Sequence, residues 1–209
     1  ITSTLTDVQV GITKSDTNKR ISIIFRGSES KKDWLHDFKL RKIRVIDNVY
    51  VHRGVYNQLH NDNVFETLVE TIKKLIKDNP TYNIFITGHS LGAALSTLFG
   101  FELSYLINEK ITVINFASPR VGNHDFRKYV DNRYNLTIYR ICNSHDIVTS
   151  VPMINYYHVG TVICLYNKDY NIMKNYNYNQ WFQFTLFNCW SVKEHSMLMY
   201  YNRLQNLLW

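Results

Sequence analysis

The pentapeptide Gly88-His89-Ser90-Leu91-Gly92 restricts this chain more than any other stretch, because its two flanks differ in kind. Before it, Asn83 to Thr87 is a short, mostly apolar run of strand character; after it, Ala93 to Ile107 is compatible with a helix. Gly-x-Ser-x-Gly at a strand-to-helix turn is the nucleophile elbow, in which the serine is held at a sharp bend with its hydroxyl exposed. With 8 glycines and 13 serines in the chain, a random ordering would produce about 0.02 such pentads, and the required flanks lower that further. Both glycines have a steric reason: a side chain two residues from the serine would collide with the neighbouring strand or helix. At the start of a helix the dipole also favours an oxyanion.

A serine hydroxyl needs a base to take its proton, and in elbow-bearing sheets the acid and the base follow the serine in the chain. His124, His145, His158 and His195 are the available bases. His124 falls near a helix start, His145 adjoins the favoured acid, and His158 opens a strand, whereas His195 lies past the last strand and ahead of a terminal helix, where a late loop can fold back. His195 is preferred and His158 is next. Among Asp125, Asp131, Asp146 and Asp169, only Asp146 closely follows the C-terminal end of a buried-type strand, where functional groups collect in open parallel sheets. Oxyanion donors are expected from the backbone N–H of Leu91 and from Ser28, in Phe25-Arg26-Gly27-Ser28, where Gly27 permits close approach.

The remaining pattern supplies a frame for these residues. Asp7 to Ile12 and Arg20 to Phe25 read as a hairpin around the polar turn Lys14 to Asn18, and a short strand is expected around Tyr50 and Val51. Apolar residues from Val64 to Ile76 recur at helical spacing and stop before Pro80. Ile111 to Phe116, Leu136 to Ile141 and His158 to Tyr166 read as strands, His124 to Tyr134 and Ser196 to Leu208 as helices, and the Asn- and Tyr-rich Asn167 to Gln180 as a surface loop. Strands alternating with helices predict an α/β fold with a mainly parallel central sheet covered by helices on both faces. The length of 209 residues suits a single domain, 1–209.

Composition excludes several classes. A chain with 45% hydrophobic and 20% charged residues is too apolar to be disordered. The uncharged stretch Asn79 to Phe101 contains Pro80, Asn83, His89 and three glycines, which does not resemble a membrane span. The net charge of +7 could suit anionic partners, but the basic residues are scattered and carry no nucleic-acid motif, so no nucleic acid is expected. Cys142, Cys164 and Cys189 form no Cys-x-x-Cys pair, which leaves no zinc or redox signature. No metal and no cofactor is expected.

The ordered blocks resemble the class 3 lipases, the fungal-type triacylglycerol lipase family of α/β-hydrolases. The resemblance is carried by Ile21-Ser22-Ile23-Ile24-Phe25-Arg26-Gly27-Ser28, Asp33-Trp34 with Asp37, Val51-His52-Arg53-Gly54, Thr87 to Leu95, Asn115 to Asn123, Asp146-Ile147-Val148 through Val151-Pro152, Tyr157 to Gly160, and Glu194-His195. It implies Ser90 as nucleophile with Asp146 and His195, Ser28 and Leu91 as oxyanion donors, and His158 on a structural strand. It also implies that Glu29 to Leu40 is a lid, with Trp34 as an interface residue rather than a half-buried core aromatic. The chain departs from the family in lacking the longer N-terminal segment, in carrying Ala93 where Gly is common, and in Asn167 to Gln180, which matches no family block.

The expected function is hydrolysis of carboxylic esters of acylglycerols by a monomer at an oil–water or membrane interface, with phospholipase A1, soluble carboxylesterase and a non-catalytic binding module as alternatives. The resemblance favours secretion. The basic cluster Lys39, Arg41, Lys42 and Arg44 beside the lid predicts salt-sensitive recruitment to anionic interfaces.

Overall fold

The computed structural model describes residues 1–3, 8–27, 41–173, 191 and 193–208. Ser28, Trp34 and the rest of the expected lid, Glu29 to Leu40, lie outside them, as does Cys189.

A seven-stranded sheet has the order β1-β2-β5-β6-β7-β8-β9. Its parallel centre consists of β2 (Arg20–Phe25), β5 (Asn83–His89), β6 (Ile111–Phe116), β7 (Leu136–Asn143) and β8 (Thr161–Leu165). Antiparallel β1 (Val10–Ser15) and β9 (Tyr170–Met173) form the two edges. A separate two-stranded sheet pairs β3 (Lys42–Ile46) with β4 (Val49–His52). Five helices complete the described fold: α1 (Arg53–His60), α2 (Val64–Asp78), α3 (Leu91–Leu103), α4 (His124–Asp131) and α5 (Met197–Leu208).

Alternation along the strands divides the core between two faces. Ile21, Ile23, Ile84, Ile86, Ile111, Val113 and Ile138 join Leu95, Leu98 and Phe99 of α3 in the larger cluster, which α1 and α2 extend through Val55, Leu59, Leu68 and Ile72. Ile114, Phe116, Ile141, Ile163 and Leu165 pack on the opposite face against Tyr200, Leu204 and Leu207 of α5. Helix α3 is buried around nearly its whole circumference, as expected of a helix enclosed between a sheet and other helices.

The structure revises several sequence boundaries. The first strand runs from Val10 to Ser15 because its register pairs Ser15 with Arg20, which moves the turn to 16–19. Strand β8 begins at Thr161 rather than His158: Gly160 has a φ of +67°, where a Cβ would meet the Ile138 carbonyl oxygen at 2.3 Å, and its N–H donates to Asp131. Helix α3 starts at Leu91, directly after the serine, and α4 ends at Asp131 instead of Tyr134. Part of the expected surface loop Asn167 to Gln180 is strand β9, whose pairing with β8 supplies a ladder that its composition does not announce.

Candidate active site

The elbow is a packing necessity before it is a chemical one. A Cβ on Gly88 would lie 2.3 Å from the carbonyl carbon of Gly92, and one on Gly92 would lie 2.4 Å from the Phe25 carbonyl oxygen. Both are impossible contacts, so helix α3 can leave the end of β5 at this angle only with glycine at each position. Ser90 between them has φ 59° and ψ −122°, a conformation that costs a non-glycine residue about 1–3 kcal/mol. The bend is held by the Ser90 N–H donating to the Phe116 carbonyl at the end of β6 and by the Ser90 carbonyl accepting from Ala93 and Ala94.

The structure brings Ser90, His195 and Asp146 together although they are far apart in the chain. The Ser90 hydroxyl lies 2.8 Å from His195 Nε2, and His195 Nδ1 lies 3.1 Å and 3.0 Å from the two Asp146 oxygens. The carboxylate only accepts, so Nδ1 carries the proton and Nε2 is left to accept from the serine. All three are buried, with relative exposures of 9% for Ser90, 3% for Asp146 and 4% for His195. This arrangement can take a proton from the hydroxyl and hold the resulting imidazolium against a carboxylate.

Asp146 follows β7 and caps the short 3-10 turn Ile147–Ser150, accepting from the Val148 N–H at 2.9 Å. Its other oxygen accepts from the phenol of Tyr200 at 2.7 Å, and that phenol in turn accepts from the Asn143 N–H at 3.0 Å. Burial first, and then the charge of Asp146, push the Tyr200 phenol well above its ordinary value, so it remains a protonated donor. His195 ends the short 3-10 turn Lys193–His195, which side chains of β5, β7 and α5 anchor. His89 Nε2 donates to the His195 carbonyl at 2.8 Å, Asn143 Nδ2 donates to the Glu194 carbonyl at 2.7 Å, and Glu194 pairs with Arg203 at 2.7 Å.

Two expected oxyanion donors fare differently. Leu91 opens α3, where a first-turn N–H has no partner within the helix. Ser28 is outside the described residues, but its neighbour Gly27 packs on the elbow so closely that a Cβ there would lie 2.8 Å from the His89 carbonyl oxygen. His158, the second-ranked base, is placed away from the serine: its Nε2 donates to the Thr149 carbonyl at 2.7 Å, just before β8. His124 opens α4, where its ring meets Tyr157. His145 Nδ1 accepts from Ser144. Among the described residues no cluster of His, Cys, Asp and Glu has the form of a metal site.

Tyr200, His89 and Asn143 belong to the site without a sequence pattern that marks them as such. Tyr200 reads as an ordinary apolar-face residue of a terminal helix, and its phenol finds Asp146 only through the packing of α5 on β7. His89 had a weak signal, since it lies inside the elbow itself.

Comparison with known proteins bears on the family and the fold. The profile of the family described as Lipase (class 3) matches residues 22–156, which include Ser90 and Asp146, with His195 beyond them. A secreted mono- and diacylglycerol lipase A of Penicillium cyclopium is 30% identical over 162 residues, covering 76% of this chain and 52% of that protein. A phospholipase A1-II 1 of Oryza sativa subsp. indica is 29% identical over 167 residues, covering 69% of this chain and 42% of that protein. The chain thus spans about half the length, or less, of these curated relatives. A crystal structure of a lipase from Rhizopus microsporus var. chinensis superposes with a TM-score of 0.80 at 26% identity, covering 93% of this chain and 70% of that one. The parallel sheet, the serine at the strand-to-helix bend and the matched family profile place the fold among the α/β-hydrolases, and the chain belongs to the class 3 lipase family.

Proposed function

We propose that the protein is a serine carboxylester hydrolase of acylglycerols, acting as one hydrolase domain without metal or cofactor. The observation that carries this reading is the continuous relay from the Ser90 hydroxyl through His195 to Asp146, at 2.8 Å and 3.0 Å. Ser90 attacks the ester carbonyl while His195 takes its proton; collapse of the tetrahedral intermediate expels the alcohol, which receives that proton, and leaves an acyl-enzyme. Water, deprotonated by His195, then releases the fatty acid and restores the serine. The Leu91 N–H, with Ser28, stabilises the oxyanion, and Asp146 keeps the imidazole in the tautomer that faces Ser90. The Penicillium relative is named a secreted mono- and diacylglycerol lipase, which supports acylglycerol esters as the substrate class and an extracellular site of action.

A second reading, phospholipase A1, is favoured by the similarity to the rice enzyme of that name. The same triad serves both, because the headgroup is selected by surrounding loops rather than by the reacting groups. The first experiment is labelling with a fluorophosphonate probe, wild type beside Ser90→Ala. The expected outcome is labelling of the wild type and none of the variant; an unlabelled, folded wild type in the presence of detergent or lipid overturns the enzyme reading. Rates on emulsified triacylglycerol, phospholipid vesicles and dissolved short-chain esters then separate the substrate readings.

A further inference from the structure

The triad leaves unexplained a basic, partly apolar corner built from β3, β4 and the turn that follows Pro152. Ile154 is 68% exposed, and the turn carrying it is riveted to the β3–β4 sheet. Lys42 Nζ donates to the Asn155 carbonyl at 2.6 Å and sits 4.5 Å over the Tyr156 ring, while the Tyr156 phenol donates to the Arg41 carbonyl at 3.3 Å. The Arg53 N–H donates to the same Arg41 carbonyl at 2.9 Å. Arg41 and Arg53 therefore flank the open end of the β3–β4 hairpin, close to the Ile154 turn.

Strand alternation separates the two sides of β3. Ile43 and Val45 pack against the core, and Arg44 is exposed, paired across the ladder with the exposed Tyr50. Among the described residues, the exposed guanidinium groups of Arg41, Arg44 and Arg53 have no carboxylate partner. Asp47, the acid of this hairpin, lies at its turn and accepts from the Tyr129 phenol at 2.9 Å. Among the described residues, these cations therefore sit beside an exposed isoleucine with no carboxylate against them.

This corner lies at the end of the large sheet that carries the triad. Val51 and Tyr157 both bridge to Gly122, in the connection that follows the C-terminal end of β6, the strand end to which the Ser90 N–H donates. In the same connection, Arg120 donates to the Ser150 and Pro152 carbonyls, which ties it to the turn capped by Asp146.

We propose that the β3–β4 hairpin and the Ile154 turn dock the protein on an anionic lipid surface, with Arg41, Arg44 and Arg53 at the headgroup phosphates and Ile154 in the acyl boundary. A single apolar side chain holds a protein on a neutral bilayer only weakly, so the charges provide most of the attachment. Each basic residue near an anionic surface strengthens partition about fivefold, and the effect fades within a Debye length. The dock deepens the acylglycerol-hydrolase reading and rests on it for its purpose, since it would present the triad's end of the sheet to lipid; the binding itself is measured without turnover.

The test is flotation of the Ser90→Ala protein with vesicles of phosphatidylcholine alone and of phosphatidylcholine mixed with phosphatidylglycerol, over a range of salt. The expected result is preference for the mixed vesicles, loss of that preference as salt rises, and partition weaker by about a hundredfold in the R41Q/R44Q/R53Q variant. Ile154→Asn should weaken binding to both vesicle types. Equal partition onto both vesicle types, binding insensitive to salt, or parental binding by a triple variant with unchanged circular dichroism overturns the proposal. Retention of the anionic preference by a wild type that fluorophosphonate does not label supports the dock while overturning the hydrolase reading.

Discussion

At the scale of single residues, the site depends on how firmly Asp146 is held as an acceptor. Its two oxygens receive His195 Nδ1, the Val148 N–H and the Tyr200 phenol, all in the buried interior. Tyr200→Phe removes one charge-assisted hydrogen bond and leaves the Asn143 N–H without its phenolic acceptor. Stability should fall by about 1.5–3 kcal/mol, the usual worth of a hydrogen bond to a charged group. If the phenol also orients the carboxylate, turnover should drop roughly tenfold, equivalent to about 1.4 kcal/mol of transition-state stabilisation. Urea unfolding and kcat on a soluble ester, measured on the same preparation, separate the two effects; unaltered turnover would show that Tyr200 serves packing alone.

At the scale of elements, the strand-to-helix junction β5–α3 combines a backbone strain with two close approaches. Gly92 lets α3 lie against the end of β2, within van der Waals reach of Phe25 and Arg26. Gly92→Ala places a methyl group where backbone already stands, so α3 must shift away from β2. The expected loss is about 1–3 kcal/mol from overpacking, accompanied by loss of fluorophosphonate labelling because Ser90 and the Leu91 N–H move with the helix. Ala93, next along the helix, needs no such displacement: it is fully buried within α3. Thermal unfolding and labelling of Gly92→Ala and of a control Ala93→Gly variant check the argument, and an intact, fully labelled Gly92→Ala protein would contradict it.

At the scale of the whole molecule, the two sheet faces are closed by helices distant in sequence, and the turn behind Asp146 is held from β8's side by His158. Burial first, then the Arg140 and Arg120 charges, push the His158 imidazole well below its ordinary value, and Arg127 adds to the effect. The folded state therefore keeps this ring neutral where the unfolded chain, with a value of about 6.5, becomes protonated. Stability from this residue is complete above pH of about 6.5 and declines as the pH falls below it, with a slope of at most about 1.4 kcal/mol per pH unit. His158→Gln should flatten the change in unfolding free energy between neutral and mildly acidic solution; an unchanged slope in that variant would assign the acid sensitivity to other groups.

The sequence by itself determined the parts of this protein whose cause is local. The apolar runs of β2 and β6 appear with the expected limits, and the long amphipathic repeat beginning at Val64 appears as α2, because a strand's alternation and a helix's periodicity are written in neighbouring residues. The elbow was legible for the same reason, and chain order together with strand ends points to Asp146 and His195, the two residues that the fold brings to Ser90. Only the tertiary structure decided what depends on contacts between distant segments. Helix α1 has just Val55 and Leu59 buried, too few for a periodic signal, and its place comes from packing against α2 and α3. Strand β9 exists because β8 offers it a ladder. The phenol of Tyr200 becomes a partner of Asp146 because α5 folds back across the far face of the sheet. Local sequence specifies which shapes a segment can take, whereas hydrogen bonds and burial between segments are decided by which surfaces the completed fold presses together.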